Sequence, residues 1–328
     1  MIGTDIYKAA ELLRAGQLVA IPTETVYGLA GNALNEEAVA AIFAVKQRPT
    51  FDPLIVHVAD MEGLEAYCRD IPADARRLAG VFMPGPLTLL LPKKDIIPDL
   101  VTAGSPLVAL RMPAHPLAHA LLFLLPFPLA APSANPFGYI SPTTAQHVAD
   151  QLGDKIPYIL DGGPCEVGLE STIVGWDETG HAVVYRKGGV AVEAIEALIG
   201  QVEVRLHSSS NPLAPGMLKS HYAPRVPMLL GDIRTLLQTH LNKRLAILSF
   251  SQFFPDVNPD FQIALSPKGD IREAARRLFG AMRYLDSLPV DYILAELLPE
   301  EDLGRAVNDR LRRAAAGGEW ESGGEREN

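Results

Sequence analysis

The sequence predicts an α/β (α+β) protein in two parts, a larger mixed, twisted sheet with flanking helices and then a small doubly wound unit. Three observations lead there. Short apolar runs of strand character alternate with helix-period segments along nearly the whole chain. A stretch rich in Ser, Asn and Pro near 207–227 interrupts that alternation once. A chain of 328 residues is also long for one hydrophobic core.

Taken in order, residues 6–15 have helical spacing and stop at Gly16, a residue suited to the position after a helix. Residues 17–21 read as a strand. Asn35 caps a helix reaching about 45, with Glu36 and Glu37 in its first turn. A continuous apolar strand follows at 54–58, then a helix at 72–82 and strands at 86–91 and 107–111. Residues 116–125 are helical and 128–131 extended. Residues 142–152 read as a helix with Ser141 as N-cap and Pro142 in its first position. Strands at 158–160, 171–174 and 182–185 and a helix at 192–199 complete the first part. After the break, strands at 226–230, 245–250, 261–265 and 292–297 alternate with helices at 232–240, 271–285 and 303–315. The expected division is a domain over 1–206, a linker over 207–227, a small domain over 228–316 and a frayed polar tail over 317–328.

Composition narrows the function. Hydrophobic residues make up 48% and charged residues 21%, as in a soluble globular chain. The net charge is −10, so stable nucleic-acid binding is not expected, although a local basic pocket for a small anion stays open. Cys68 and Cys165 lack zinc spacing and read as reduced, packed thiols of a cytoplasmic protein. Met1 to Asp5 has no basic start backed by an apolar run, so no signal peptide is expected. The most apolar run, 117–131, is too short to span a membrane and is interrupted by Pro126 and Pro128. The eight histidines show no ligand spacing, so no protein-held metal is expected. There is no P-loop string, nucleophile elbow or zincin helix.

Several strings carry chemistry. Only four of the first sixty residues are Lys or Arg, and two of these are Lys46 and Arg48. Cations that close repel unless an anion screens them. On spacing alone, they read equally as a solvated helix end offsetting the macrodipole. Ala131-Pro132-Ser133-Ala134-Asn135 ends an apolar strand, where α/β sheets place ligand contacts, and Ser133 and Asn135 fall on one side of an extended stretch. Alone, the string also reads as an ordinary turn. Ser141-Pro142-Thr143-Thr144 offers hydroxyls at a helix start, as an anion site or a plain cap. Arg111 ends a strand and needs a carboxylate or phosphate partner. Gly168-Leu169-Glu170-Ser171-Thr172 and Tyr185-Arg186-Lys187-Gly188 set polar groups beside glycine turns. Met217, His221 and Tyr222 are more than an inert linker needs, and suit a segment that folds over a site.

In this order the strings resemble the threonylcarbamoyl-AMP synthase family in its long form, a YrdC-like domain followed by a small Rossmann-like domain. The resemblance rests on 22–29, Lys46-x-Arg48, 53–57, Pro84-Gly85-Pro86-Leu87-Thr88, Arg111-Met112-Pro113, Ser133-x-Asn135, Ser141-Pro142-Thr143, 168–174 and His221-Tyr222-Ala223-Pro224. It implies a nucleotidyltransferase that makes threonylcarbamoyl-AMP and pyrophosphate from L-threonine, bicarbonate or CO2, and ATP. A partner transferase then modifies an adenosine beside the tRNA anticodon. It implies Lys46 and Arg48 as the catalytic centre holding bicarbonate and triphosphate. It places ATP against Arg48, Asp52, Ser133, Asn135, Ser141, Arg186, His221 and Tyr222, the last two as a lid. It places threonine against Thr25, His57, Arg111, Ala131 and Ser171. Mg²⁺ is expected with ATP, held by phosphate oxygens. The chain departs from the family pattern at Phe51-Asp52, Leu107, Lys187 and Leu218-Lys219-Ser220. A carbamoyl-adenylate enzyme and a non-catalytic RNA-binding module of the same fold are the alternatives.

Overall fold

The structure is a computed structural model that describes residues 1–205, 214 and 221–316. The first part contains β1 (Ile2–Gly3), α1 (Ile6–Arg14), β2 (Val19–Ile21), β3 (Gly28–Asn32), α2 (Glu36–Lys46), β4 (Ile55–His57), α3 (Met61–Tyr67), α4 (Ala73–Phe82), β5 (Leu87–Pro92), α5 (Asp99–Thr102), β6 (Leu107–Arg111), α6 (Pro116–Leu124), β7 (Leu129–Ala130), α7 (Ala145–Leu152), β8 (Tyr158–Leu160), β9 (Thr172–Trp176), β10 (Ala182–Arg186), α8 (Val192–Ile199) and β11 (Glu203–Val204). Among the described residues its strands form one mixed sheet of eleven, in the order β1-β8-β2-β3-β7-β4-β6-β5-β9-β10-β11. The central strands are buried on both faces. On β2, Val19 and Ile21 join one apolar cluster, while Ala20 and the preceding Leu18 join another, as the two-residue period of a strand requires.

The second part contains β12 (Met228–Leu230), α9 (Ile233–Thr239), β13 (Leu245–Ser249), a 3-10 turn at Pro259–Phe261, β14 (Gln262–Ala264), α10 (Ile271–Asp286), β15 (Tyr292–Ala295) and α11 (Gly304–Ala315). Its four strands are all parallel, in the order β12-β15-β13-β14. The mixed sheet and the small parallel unit expected from the sequence are both present.

One helix starts later than the sequence suggests. Residues 141–143 cannot be helical, because their carbonyls are used elsewhere. Pro142 O accepts from Tyr27 N at 2.9 Å and Thr143 O accepts from Cys165 N at 2.9 Å. Thr144, not Ser141, is the N-cap of α7, its side chain accepting from His147 N. The short strand β3, rich in glycine, and the helix α3, with Leu64 as its buried residue, carry too little apolar signal to be read from sequence.

The two parts share a core. Val26, Ile140, Leu169 and Tyr222 cluster with Phe279, Met282 and Leu311 of the second part. Gly168 has φ +76, and a Cβ there would lie 2.5 Å from the backbone of Arg276 on α10, so this close approach requires glycine. Arg283 of α10 donates to Ser141 O at 3.3 Å and to Gln151 Oε1 at 2.9 Å, and also to Ile140 O. Ala214 of the linker is buried on the sheet face beside Ile55 and Ala109. The rest of the expected linker before His221, and the expected tail over 317–328, lie outside the described residues.

Phe279 has no exposure and stacks on Tyr222, ring centroids 5.5 Å apart. Phe279→Ala is expected to cost about 3–5 kcal/mol in urea unfolding. A loss under about 1 kcal/mol would contradict a core shared at this point.

Candidate active site

The site forms where strands end. His57 and Arg111 are register partners at the C-terminal ends of the parallel pair β4 and β6, where open α/β sheets place ligands. Ala131, Pro132 and Ser133 follow β7, and Ser171 precedes β9. On β10 the register slips between Val184 and Arg186, a bulge that re-aims Arg186. These elements enclose a pocket of about 50 Å³ lined by Arg48, His57, Arg111, Ala131, Ser133, Glu170, Arg186, His221 and Tyr222, with Val26, Pro132, Pro53 and Ile55 as its apolar wall.

The guanidinium groups have protein partners. Arg48 lies 2.9 Å from Asp52 Oδ2 and donates to the main-chain oxygens of Asp52 at 3.0 Å and Pro53 at 2.8 Å. The Asp52 oxygens lack a well-aligned hydrogen bond, so this contact is chiefly ionic. Burial raises the Asp52 pKa, and Arg48 and Lys46 oppose that rise. Arg111 donates to Glu24 Oε1 at 2.6 Å, while Glu24 Oε2 accepts from Ala114 N at 3.0 Å. Arg186 donates to Ser171 O and Ser171 Oγ, each at 3.0 Å, and burial lowers its pKa to about 10. Glu170 is pushed up by burial, but Arg310, Arg186 and the hydrogen bond from Ser141 outweigh this and hold it below its ordinary value. It is therefore ionised at neutral pH.

Eight of the residues expected at the site line the pocket: Arg48, His57, Arg111, Ala131, Ser133, Arg186, His221 and Tyr222. The others stand behind it. Lys46 ends α2 as the helix-end reading requires, but it is not solvated. Its side chain is buried, and Nζ donates to Ser133 O and Asn135 O at 2.5 Å each. Burial, then repulsion from Arg48, drives its pKa well below the ordinary lysine value. Lys46 and Arg48 thus need no shared anion, since carbonyls serve one and Asp52 the other. Asn135 turns away into its own loop, donating to Pro136 O at 2.8 Å and Tyr139 O at 2.9 Å. Thr25 Oγ1 lies 2.8 Å from Thr23 Oγ1, and Ser171 Oγ lies 2.7 Å from Thr88 Oγ1. Ser141 Oγ donates to Glu170 Oε1 at 2.6 Å.

Sequence reasoning missed Glu24, Glu170 as a wall residue, and Arg310 on α11. Their partners lie 87 and 140 residues away, so no local pattern marks them. The need of Arg111 for a carboxylate was the one usable signal. An aromatic series runs Phe137, His221, Tyr222, Phe279, with successive centroids 5.8, 4.1 and 5.5 Å apart. It ties the expected lid to the second part, and Tyr222 sits there with φ 63, in the left-handed region. A larger cleft of about 650 Å³ lies between α7 and α10, but its arginines are engaged, Arg225 by Asp286 and Arg283 by main-chain oxygens.

Comparison with known proteins agrees with this geometry. A family model described as Telomere recombination, covering Sua5, YciO and YrdC proteins, matches residues 11–188. A second, described as Threonylcarbamoyl-AMP synthase, C-terminal domain, matches residues 190–316. The chain is 42% identical to the threonylcarbamoyl-AMP synthase of Pyrococcus abyssi, over 94% of this chain and 93% of that protein. It is 41% identical to that of Bacillus subtilis, over 95% and 93%. A crystal structure of P. abyssi Sua5 complexed with L-threonine matches with a TM-score of 0.89 at 41% identity, covering 95% of this chain and 94% of that one.

Burial lowers the pKa of both His57 and His221 from 6.5 to about 3. The unfolded chain protonates these rings near pH 6.5, so between about pH 6.5 and 3 the unfolded state binds more protons and stability rises with pH. Going from pH 7.5 to 5.5 should cost about 1 kcal/mol for each ring. Urea unfolding should show a shallower loss in His57→Gln/His221→Gln, and equal pH slopes would contradict the assignment.

Proposed function

The chain belongs to the threonylcarbamoyl-AMP synthase family, and we propose that its pocket makes L-threonylcarbamoyl-AMP and pyrophosphate from L-threonine, bicarbonate or CO2, and ATP. The observation that carries this reading is the convergence of Arg48, Arg111 and Arg186 on one enclosed pocket with two neutral imidazoles. All three reactants bear anionic oxygens, and guanidinium groups suit carboxylate and phosphate better than any other side chain.

Each step has a clear requirement. The threonine amine must be neutral to attack. Neighbouring cations favour the neutral amine over the ammonium, and Arg111, which lines the pocket, is the group proposed to hold the carboxylate. The nitrogen bonds to the carbon of CO2 and loses a proton, giving an N-carboxylate. An oxygen of that group attacks the α-phosphorus, the bond to the bridging oxygen breaks, and pyrophosphate leaves. Little covalent work falls to the protein, so positioning and charge neutralisation dominate. Arg48 and Arg186 take the phosphate side. Lys46 and Asn135 act from behind, fixing the loop that presents Ser133. Ser171 and Ser141 likewise fix the wall groups Arg186 and Glu170, Thr25 bonds to Thr23 behind them, and Asp52 fixes Arg48. His221 and Tyr222 cover the pocket and exclude water from a labile mixed anhydride.

Mg²⁺ is proposed to enter with ATP as a phosphate-held ion. Among the described residues no group of three His, Cys, Asp or Glu could cage a metal, and Asp52 is tied to Arg48. Bound there, it would neutralise phosphate charge. The product serves a transferase that modifies tRNA, and the proposed location is the cytoplasm. No helix among the described residues is long and apolar enough to cross a membrane. The proposed domains are 1–206 and 228–316, joined by a segment whose end supplies the lid.

Pyrophosphate release should require both threonine and bicarbonate. ATP turnover indifferent to threonine would instead indicate a carbamoyl-adenylate enzyme or no synthase at all. Arg48→Ala and Lys46→Ala are each expected to lower synthesis about a hundredfold or more while circular dichroism stays unchanged. Near-normal turnover in either would sink the proposed roles.

A further inference from the structure

A carboxylate is an awkward wall for a pocket that receives a triphosphate, yet Glu170 lines it beside Arg48 and Arg186. Its charge is met from the second part of the molecule. Arg310 of α11, with no exposure, donates to Glu170 Oε2 from Nε at 3.2 Å and from Nη2 at 3.0 Å. Glu170 Oε1 is held by Ser141. Arg310 Nη1 reaches Lys187 O at 2.6 Å, next to Arg186, and its guanidinium lies 5.4 Å from the centroid of Tyr222. Arg310 itself does not line the pocket. A buried ion pair is weak evidence for stability, because an apolar pair of similar volume often does as well. Another role is called for.

We propose that Arg310 is a positioning residue for the nucleotide: it neutralises Glu170 and fixes Glu170 and Tyr222 in the wall, so that the C-terminal domain sets the pocket's affinity for a polyphosphate. The inference rests on reading the pocket as an ATP site. Paired with Arg310, Glu170 adds little repulsion. Unpaired, a buried carboxylate repels the phosphates in a medium that screens poorly. Threonine carries at most one negative charge, on its carboxylate, against the several of a triphosphate, so its affinity should change far less.

Calorimetric titration of the full-length chain with MgATP and with L-threonine separates these effects. In Arg310→Gln the ATP Kd should rise at least tenfold, while the threonine Kd stays within threefold. In a Glu170→Gln background the same change should alter the ATP Kd less than threefold. Equal losses for both ligands, or a tenfold ATP loss that persists without the Glu170 charge, would overturn the proposal. If Arg310→Gln does not fold, Arg310→Lys replaces it and should weaken ATP more than threonine, and a tenfold ATP loss between E170Q and E170Q/R310Q, where Asp309 keeps Arg313 at 3.0 Å, would still overturn the proposal. A parent that binds threonine but not ATP would overturn the reading of the pocket as well. A parent that binds ATP, with R310Q matching it, would overturn the role of Arg310 alone.

Discussion

Guanidinium groups tolerate burial only with partners in reach, and this fold buries several around one small pocket. Asp52 meets Arg48, Glu24 meets Arg111, and Glu170 meets Arg310. Much of the architecture follows from keeping those pairs together. The bulge in β10 brings Arg186 back to Ser171, and the turn at Gly188, where a Cβ would lie 2.2 Å from Glu170 O, lets the two chains touch. The strand register that sets His57 beside Arg111 places a neutral ring next to a cation rather than a second charge. The result is a pocket of fixed cations whose acids lie mostly behind them. Anionic reactants then meet preorganised charge and need not reorganise it.

The second domain belongs to this arrangement. Arg310 crosses to Glu170, Phe279 supports Tyr222, and Arg283 holds the main chain at Ile140 and Ser141. Three contacts on two helices thus reach the wall of a pocket lined by strand ends and loops of the first part together with His221 and Tyr222. Tyr222, in the pocket wall, is held by aromatic packing on Phe279 of α10.

The sequence was most legible where the physics is local. The continuous apolar strand at 54–58 and the cap at Asn35 announce themselves, and the structure has a strand at Ile55–His57 and that cap. Lys46, Arg48 and Arg111 drew notice because cations beside apolar runs need an explanation. Depth was harder to read. Lys46, Asn135, Thr25 and Ser171 belong to the site's strings, yet their side chains bond to main-chain and hydroxyl partners and do not line the pocket. Ser141 and Pro142 carried a sound helix-start pattern that lost to Tyr27 and Cys165, whose amides claimed the carbonyls. Glu24, Glu170 and Arg310 were illegible for a plainer reason. Their partners are chosen by the folded topology, which composition and spacing do not encode.

The central claim is that the pocket's charges are set before substrate arrives. It is tested most directly by a crystal structure of the protein with a non-hydrolysable ATP analogue and L-threonine. The account predicts phosphates against Arg48 and Arg186, the threonine carboxylate at Arg111, and the Glu170–Arg310 pair unbroken. Phosphates bound elsewhere, or Arg310 leaving Glu170 to reach the nucleotide, would contradict it.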